Sequence, residues 1–285
     1  MMKIAIPNKG RLAEGALQRL RRAGLRAQGR SDRALQAPLG NGFQALFVRA
    51  RDIPEFVADG AADAGITGRD VVAETGRGVE ELLDLDFGRC RLVVAADEDG
   101  VSDVADLPEQ TRVATAFPRL TSDFFATLDI PIKVVPISGA AEIAPHIGVA
   151  DVIVDLVSTG STLKLNGLRE VATILESSAL LIARPSEDES SATGRMLREL
   201  VVALESVLQA RDKRYLMANV PRDAIAEVSK VLPGISGPTI VDVVESGWVA
   251  AHAVVETDQV YRAIADLKDL GATGILVTKI ERLMP

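Results

Sequence analysis

DVIVDLVSTGSTLKLNGL, residues Asp151 to Leu168, starts as a buried strand and breaks into a loop of small hydroxylated residues. Val152, Ile153 and Val154 are β-branched, as in a strand covered on both faces, and such a strand accepts carboxylates only where its ends reach solvent or a ligand. Asp151 and Asp155 bracket that segment. Ser158, Thr159, Gly160, Ser161 and Thr162 follow, with Gly160 free to take a positive φ, so several backbone N–H groups can converge on one anion. Spacing alone leaves two readings open: a phosphate cradle, or a strand–turn–helix junction whose Ser and Thr cap the helix. The two carboxylates favour the cradle, because Asp beside such a loop suits ribose hydroxyls or Mg2+. The absence of GK[ST] argues against a Walker nucleoside triphosphatase.

Outward from this stretch, short apolar runs alternate with helix-period segments, the pattern of α/β layers with a largely parallel sheet. The pattern predicts strands over 3–7, 44–48 and 64–66 and helices over 11–23 and 53–59, the second opened by Asp52 as N-cap. After a strand over 90–95 it begins afresh, with strands over 112–115, 132–137 and 152–156 and helices over 120–128 and 140–147. A strand over 180–183 and a helix over 195–209 return, separated by the polar PSEDESSATG, read as an exposed turn. From Tyr215 the rhythm becomes β-α-β-β-α-β, a ferredoxin-like module. Pro221 is placed as a first helical residue, Ile225, Val228, Val231 and Leu232 form a helix face, and ESG (245–247) forms a turn. The resulting organisation is a discontinuous domain of 1–95 and 178–211, a second of 96–177 carrying the loop, and a third of 212–285.

Composition narrows the function. The chain has 285 residues, 47% hydrophobic and 25% charged, the balance of an ordinary globular protein with two or three domains. Forty acidic against 32 basic residues give a net charge of -8, which argues against a nucleic-acid-coating surface. A single cysteine, Cys90, leaves no intrachain disulfide framework and reads as a small buried hydrophobe in a reducing compartment. The N-terminal apolar run is too short for a signal peptide and no run reaches the ~18 residues of a membrane span, so a cytoplasmic protein is expected.

Further polar groups follow the other strands. Lys9 and Arg11, in PNKGR, lie at the end of the first strand, where open α/β sheets place ligands, and Arg49 and Arg51 follow FQALFV. Two basic pairs suit a pyrophosphate, since guanidinium forks match phosphate oxygens; a solvated turn is the competing reading. GITGRD (65–70) sets Gly, Thr and Asp after a strand, as a ligand loop or a capped helix start. His146 and His252 have no metal-spaced partner, and no nucleophile–base arrangement is apparent.

PNKGRL, RARDIP, DAGITGRD, GAAEIAPHIGVADVIVDLVSTGSTLKLNGL and ILESSALLIA together resemble ATP phosphoribosyltransferase. LPGISGPTI, WVAAHAVV and GILVTKI resemble the regulatory domain of its long form. The likeness spans essentially the whole chain in order.

That resemblance implies two periplasmic-binding-protein-like α/β domains around a catalytic cleft and a ferredoxin-like, ACT-like regulatory domain. It implies transfer of the phosphoribosyl group of phosphoribosyl pyrophosphate to N1 of ATP, with Mg2+, as the first step of histidine biosynthesis. By the family pattern Ser158, Thr159, Gly160, Ser161 and Thr162 cradle the 5′-phosphate, and Glu142, Asp151 and Asp155 address the sugar, Asp151 and Asp155 also the metal. Lys9, Arg11 and Arg49 take the pyrophosphate or ATP phosphates and, with Asp155, are the catalytic candidates. Gly65, Thr67, Gly68 and Asp70 join Lys9 and Arg11 in an ATP pocket. The tail implies inhibition by L-histidine near Ser236 and Thr239, where Gly237 departs from the Ser of many relatives, and assembly into homodimers and homohexamers. Without the resemblance, the competing reading is a non-enzymatic two-domain clamp for a small anion or effector.

Overall fold

The structure, a computed structural model, describes residues 1–28, 34–185, 190–244 and 247–284. It divides into two compact units, one of Met1–Arg21 and Leu25–Arg198, the other of Arg22–Gly24 and Glu199–Pro285.

In the first unit the chain runs β1 (Met2–Pro7), α1 (Ala13–Arg22), β2 (Gln36–Gly40), β3 (Phe43–Val48), α2 (Ile53–Ala58), β4 (Ala64–Gly68), α3 (Arg69–Thr75) and β5 (Glu80–Asp84). It continues with β6 (Cys90–Asp97), β7 (Thr111–Thr115), α4 (Pro118–Thr127), β8 (Ile132–Pro136), β9 (Val152–Val157), α5 (Ser161–Leu165) and β10 (Leu168–Ser177), and returns through β11 (Ala179–Ala183) into α6 (Ala192–Gln209). Two mixed sheets result, ordered β2-β3-β1-β4-β11-β5 and β10-β6-β9-β7-β8. Parallel pairing is confined to β3-β1-β4 inside the first sheet and β9-β7-β8 at one side of the second. Ile4, Ile6, Ile66, Leu180 and Ile182 in the first sheet and Leu92, Val113, Ile153 and Val154 in the second are almost wholly buried. Each such side chain contributes about 1.5–3 kcal/mol.

The chain passes between the sheets twice, and the two passages are laced together. Ser178 Oγ donates to Asp84 Oδ2 at 2.7 Å, Leu85 N to the Ala179 carbonyl at 2.9 Å, and Ala179 N to the Phe87 carbonyl at 2.9 Å.

The pattern missed three strands and left two helices, α3 and α5, only as alternatives to ligand loops. β2 and β3 form a hairpin whose two-residue turn, Asn41-Gly42, has φ of 53° and 81°, the geometry for which Asn-Gly is favoured. β5 is an edge strand, and β10 carries two register shifts against β6, which break its alternation. α3 follows β4 with no intervening loop. The helix expected over 140–147 shrinks to a 3-10 turn, Ala141–Ile143: Ala140 enters with φ 52°, and Pro145 lacks the N–H to continue. Asp52 makes no side-chain cap, and Pro221 ends a strand instead of opening a helix. β6 belongs to the second sheet, so a domain boundary at 95/96 falls inside a strand, and the compact units part within α6 instead of at 211/212. Residues 186–189 of PSEDESSATG and 245–246 of ESG lie outside the described residues.

The second unit carries β12 (Lys213–Pro221), α7 (Ile225–Val231), β13 (Thr239–Asp242), β14 (Trp248–Glu256), α8 (Val260–Asp269) and β15 (Thr273–Lys279). Its antiparallel sheet is ordered β13-β14-β12-β15, the ferredoxin-like arrangement. Alternate residues of β12 and β14, among them Leu216, Ala218, Val249 and Ala251, pack with Val228 of α7 and Leu267 of α8. Among the described residues no helix is long and apolar enough to cross a membrane.

Gly65 marks where backbone packing is tightest. A Cβ there would lie 2.4 Å from Ile53 Cγ2 and 3.0 Å from Val57 Cγ2, both on α2. Gly65→Ala is therefore expected to lower stability by about 1–3 kcal/mol through overpacking, read as a fall in Cm on urea unfolding at unchanged m.

Candidate active site

β9 ends at Val157 and the chain turns through Ser158–Gly160 into α5. Gly160 has φ 77°, and its missing Cβ leaves room for Glu170 Oε1, 3.3 Å from where that carbon would lie. Glu170 is in turn held by Arg91 through bonds of 2.8 and 2.6 Å, which neutralise a carboxylate behind the loop. Thr159 Oγ1 and Ser161 Oγ are 3.0 Å apart, and the amides of Thr159 and Gly160 meet no acceptor among the described residues. Glu142, Asp155 and Ser158–Thr162 line one cavity of about 240 Å³ with Leu156, Val157 and Leu163. The space is below the ~300–1,000 Å³ of drug-sized sites and suits a sugar phosphate.

Burial, reinforced by the charge of Glu142, pushes the Asp155 carboxyl above its ordinary pKa, against the pull of the Leu156 amide, which donates to Oδ1 at 2.7 Å, and of Arg51. Asp151 lies elsewhere. It sits four residues away on an extended chain, roughly 13 Å along the strand, and lines a separate cavity with Asp97, Glu109 and Thr111. There Arg112 holds it: Nη2 donates to Oδ1 at 2.6 Å, and the backbone N and Nε to Oδ2 at 2.8 and 3.2 Å. Those bonds lower its pKa. The two carboxylates of the opening stretch therefore do different work, and only Asp155 with Glu142 faces the loop. Among the described residues no three His, Cys, Asp or Glu side chains cluster as a metal site.

The first sheet offers its groups from neighbouring strands. Lys9 and Arg11 follow β1, Arg49 and Arg51 follow β3, and Pro7 pairs with Val48, so the two basic loops are adjacent. Lys9 and Arg49 are exposed, and no side-chain bond holds either among the described residues. Arg11 donates to the Gly88 carbonyl and, at 3.3 Å, to Asp70 Oδ1. GITGRD is buried apart from the half-buried Arg69. Thr67 Oγ1 donates to the Ala50 carbonyl at 2.9 Å, fixing the turn that carries Arg49 and Arg51. A Cβ at Gly68 would press on Asp70, whose amide already donates to Ser177 Oγ at 3.1 Å. Asp70, its carboxylate bonded by Ser177 and Arg11, positions Arg11.

Arg51, set aside in sequence as one of a pair, reaches the second sheet. Its guanidinium donates to the Ala116 carbonyl and lies 5.5 Å from the Phe117 ring centre, close enough for its charge to act on Asp155. A basic residue one place before a cap position carries no sequence signal for such a reach.

In the second unit Ser236 and Thr239 are exposed on the turn into edge strand β13. Gly237 N donates to the Pro233 carbonyl at 2.8 Å, and φ of 100° at Gly237 is one only glycine takes freely, which accounts for Gly at this place. His146 Nε2 pairs with the Asn166 carbonyl and His252 Nδ1 with the Tyr215 hydroxyl. Cys90 is buried, and burial raises its thiol pKa.

Comparison with known proteins gives the family. The ATP phosphoribosyltransferase family profile matches residues 49–206, and that of the HisG C-terminal domain matches 210–282. The chain is 56% identical to the ATP phosphoribosyltransferase of Gemmatimonas aurantiaca, with 100% of both chains covered. It is 50% identical to that of Haloarcula marismortui, covering 99% of this chain and 100% of that one. A chain of the ATP phosphoribosyl transferase (HisG:HisZ) complex from Thermotoga maritima superposes with TM-score 0.63 at 28% identity, over 72% of this chain and 99% of that one. With profiles and relatives together spanning its length, the chain belongs to the ATP phosphoribosyltransferase family.

Proposed function

We propose that this member of the family, which catalyses the first step of histidine biosynthesis, holds phosphoribosyl pyrophosphate in the cavity of Glu142, Asp155 and Ser158–Thr162. One observation carries the reading: loop hydroxyls and the open amides of Thr159 and Gly160, the donors a phosphate needs, share a cavity with two carboxylates, the acceptors sugar hydroxyls need. In the transfer, N1 of ATP attacks the anomeric carbon. The new C–N bond forms as the bond to pyrophosphate breaks, the electron pair departing with pyrophosphate. No protein nucleophile is required, and the chain supplies alignment and charge.

We assign Lys9, Arg11 and Arg49 to the pyrophosphate and the ATP phosphates. Gly65, Thr67, Gly68 and Asp70 act behind them, holding the basic loops in place. Asp155 and Glu142 fit Mg2+, since it takes one or two carboxylates plus substrate phosphate oxygens and would relieve the mutual repulsion that opposes charge on Asp155. When bound, Mg2+ supplies charge neutralisation at the leaving group. Asp151, occupied by Arg112, is not part of that set. We further assign L-histidine inhibition to 212–285 around Ser236 and Thr239, with homodimers and homohexamers as the assemblies and the cytoplasm as the location.

Asp155→Asn should lower turnover by about 10²-fold or more in a coupled absorbance assay with ATP, phosphoribosyl pyrophosphate and Mg2+. Its folded pKa is raised, so ionised Asp155 opposes folding at neutral pH, and the same variant should melt at the parent's Tm or above. Undiminished turnover in the folded variant would overturn the assignment of this cavity to the reaction. Asp151→Asn should do the reverse. Its folded pKa is lowered, so the stabilisation is complete above the ordinary carboxylate pKa and disappears as pH falls through the folded value. Activity should hold while neutral-pH stability drops by less than about 1 kcal/mol, the range of a half-exposed pair, with the difference vanishing in melts at acid pH. For the tail, Ser236→Ala with Thr239→Val should raise the histidine concentration for half-inhibition by about tenfold, the loss of one or two hydrogen bonds. The uninhibited rate should stay unchanged; a parent enzyme indifferent to histidine would remove this assignment.

A further inference from the structure

α4 starts at Pro118 with Phe117 as its N-cap residue, and phenylalanine has no acceptor for the open amides of a first turn. Glu74 provides one from the other sheet's side. Its Oε1 accepts from Arg119 N at 3.0 Å and its Oε2 from Leu120 N at 2.9 Å. The exchange is reciprocal: Arg119 Nη1 donates to the Ala73 carbonyl at 3.2 Å, in the last turn of α3. A carboxylate thus caps the start of one helix and a guanidinium the end of the other, each with the charge that helix end favours. Both helices are continuous with segments that hold site groups. α3 grows directly out of GITGRD, whereas α4 follows the Ala116–Phe117 turn that receives Arg51, and Thr115 just before it pairs with Val154, the neighbour of Asp155.

We propose that Glu74 and Arg119 are positioning residues for the phosphoribosyl transfer, a two-way clasp that holds the basic loops of the first sheet opposite the hydroxyl loop of the second before substrate arrives. The proposal rests on the assignment of substrate to both edges and adds what keeps them in register. Its consequence is quantitative. When only a fraction of molecules is binding-competent, apparent affinity falls by that fraction, while a molecule that has bound and closed turns over as before. Loss of the clasp therefore raises KM for both substrates and spares kcat. Loss of folded protein acts oppositely, subtracting from kcat at constant KM.

The test compares Glu74→Ala, Glu74→Gln and Arg119→Met with the parent enzyme, by steady-state kinetics and by amide hydrogen exchange without substrate. Glu74→Ala should speed exchange at the Arg119 and Leu120 amides and raise KM for ATP and for phosphoribosyl pyrophosphate by about tenfold, as expected for lost charge-assisted hydrogen bonds. kcat should stay within about twofold. Glu74→Gln, which keeps a carbonyl acceptor, should fall between parent and Glu74→Ala, and Arg119→Met should raise KM in the same sense. Unchanged exchange at the two amides would show that Glu74 does not cap α4 and would overturn the proposal. Lost protection with unchanged KM, or a fall in kcat at constant KM, would overturn it as well. Should Asp155→Asn keep full turnover while the clasp variants raise KM, the substrate assignment fails and the clasp stands.

Discussion

Burial and the charge of Glu142 both oppose ionisation of Asp155, and β9 gives it no freedom to escape either. The strand lies third of five, bonded to β6 on one side and β7 on the other, with Val152, Ile153 and Val154 removed from water. A side chain on such a strand, its own residue paired with Val93, cannot drift away from an unfavourable field. Its carboxylate is therefore presented to the cavity at a fixed place, which is what catalysis by orientation and preorganised charge requires. The hydroxyl loop depends on the same strand for its position, and Gly160 and the Arg91–Glu170 pair then set its curvature from behind.

Much of this was legible from residue order alone. The alternation of apolar runs and helix-period segments marks the central strands of both sheets, and the change of rhythm after Tyr215 marks the ferredoxin-like module, because central strands are fully buried and show it in their composition. Edge and irregular strands escaped for the complementary reason. β5 is half-exposed, and β10 mixes Arg169, Glu170 and Glu176 with apolar residues across two register shifts. β2 could have been found, since Asn41-Gly42 is a strong hairpin signal. The false helix over 140–147 came from giving apolar spacing priority over Pro145.

Within the site, sequence proximity was informative for the loop and misleading for Asp151. Four residues are one turn of a helix but the length of a strand, so two carboxylates at that spacing in β structure meet different surroundings. GITGRD shows a related limit. Its residue types left a ligand loop and a capped helix start both open, and the contacts are structural ones: Gly65 makes room for α2, Thr67 secures the Ala50 carbonyl and Asp70 braces Arg11. Arg51, Glu74 and Arg119 reach partners 65, 45 and 46 residues away in the chain, and nothing in local spacing encodes such pairs.

The lacing of the two passages between the sheets limits how the first unit can move. Asp84 to Phe87 and Ser178 to Ala179 are joined by two backbone bonds and one side-chain bond, so neither segment can bend without the other. Two independent tethers would let one sheet twist, slide or tilt against its neighbour. Two tethers fastened side by side act as a single hinge pin, and opening about that pin is the low-cost motion left. Each closing stroke would then follow one arc, and the Glu74–Arg119 clasp has only the end of that arc to set.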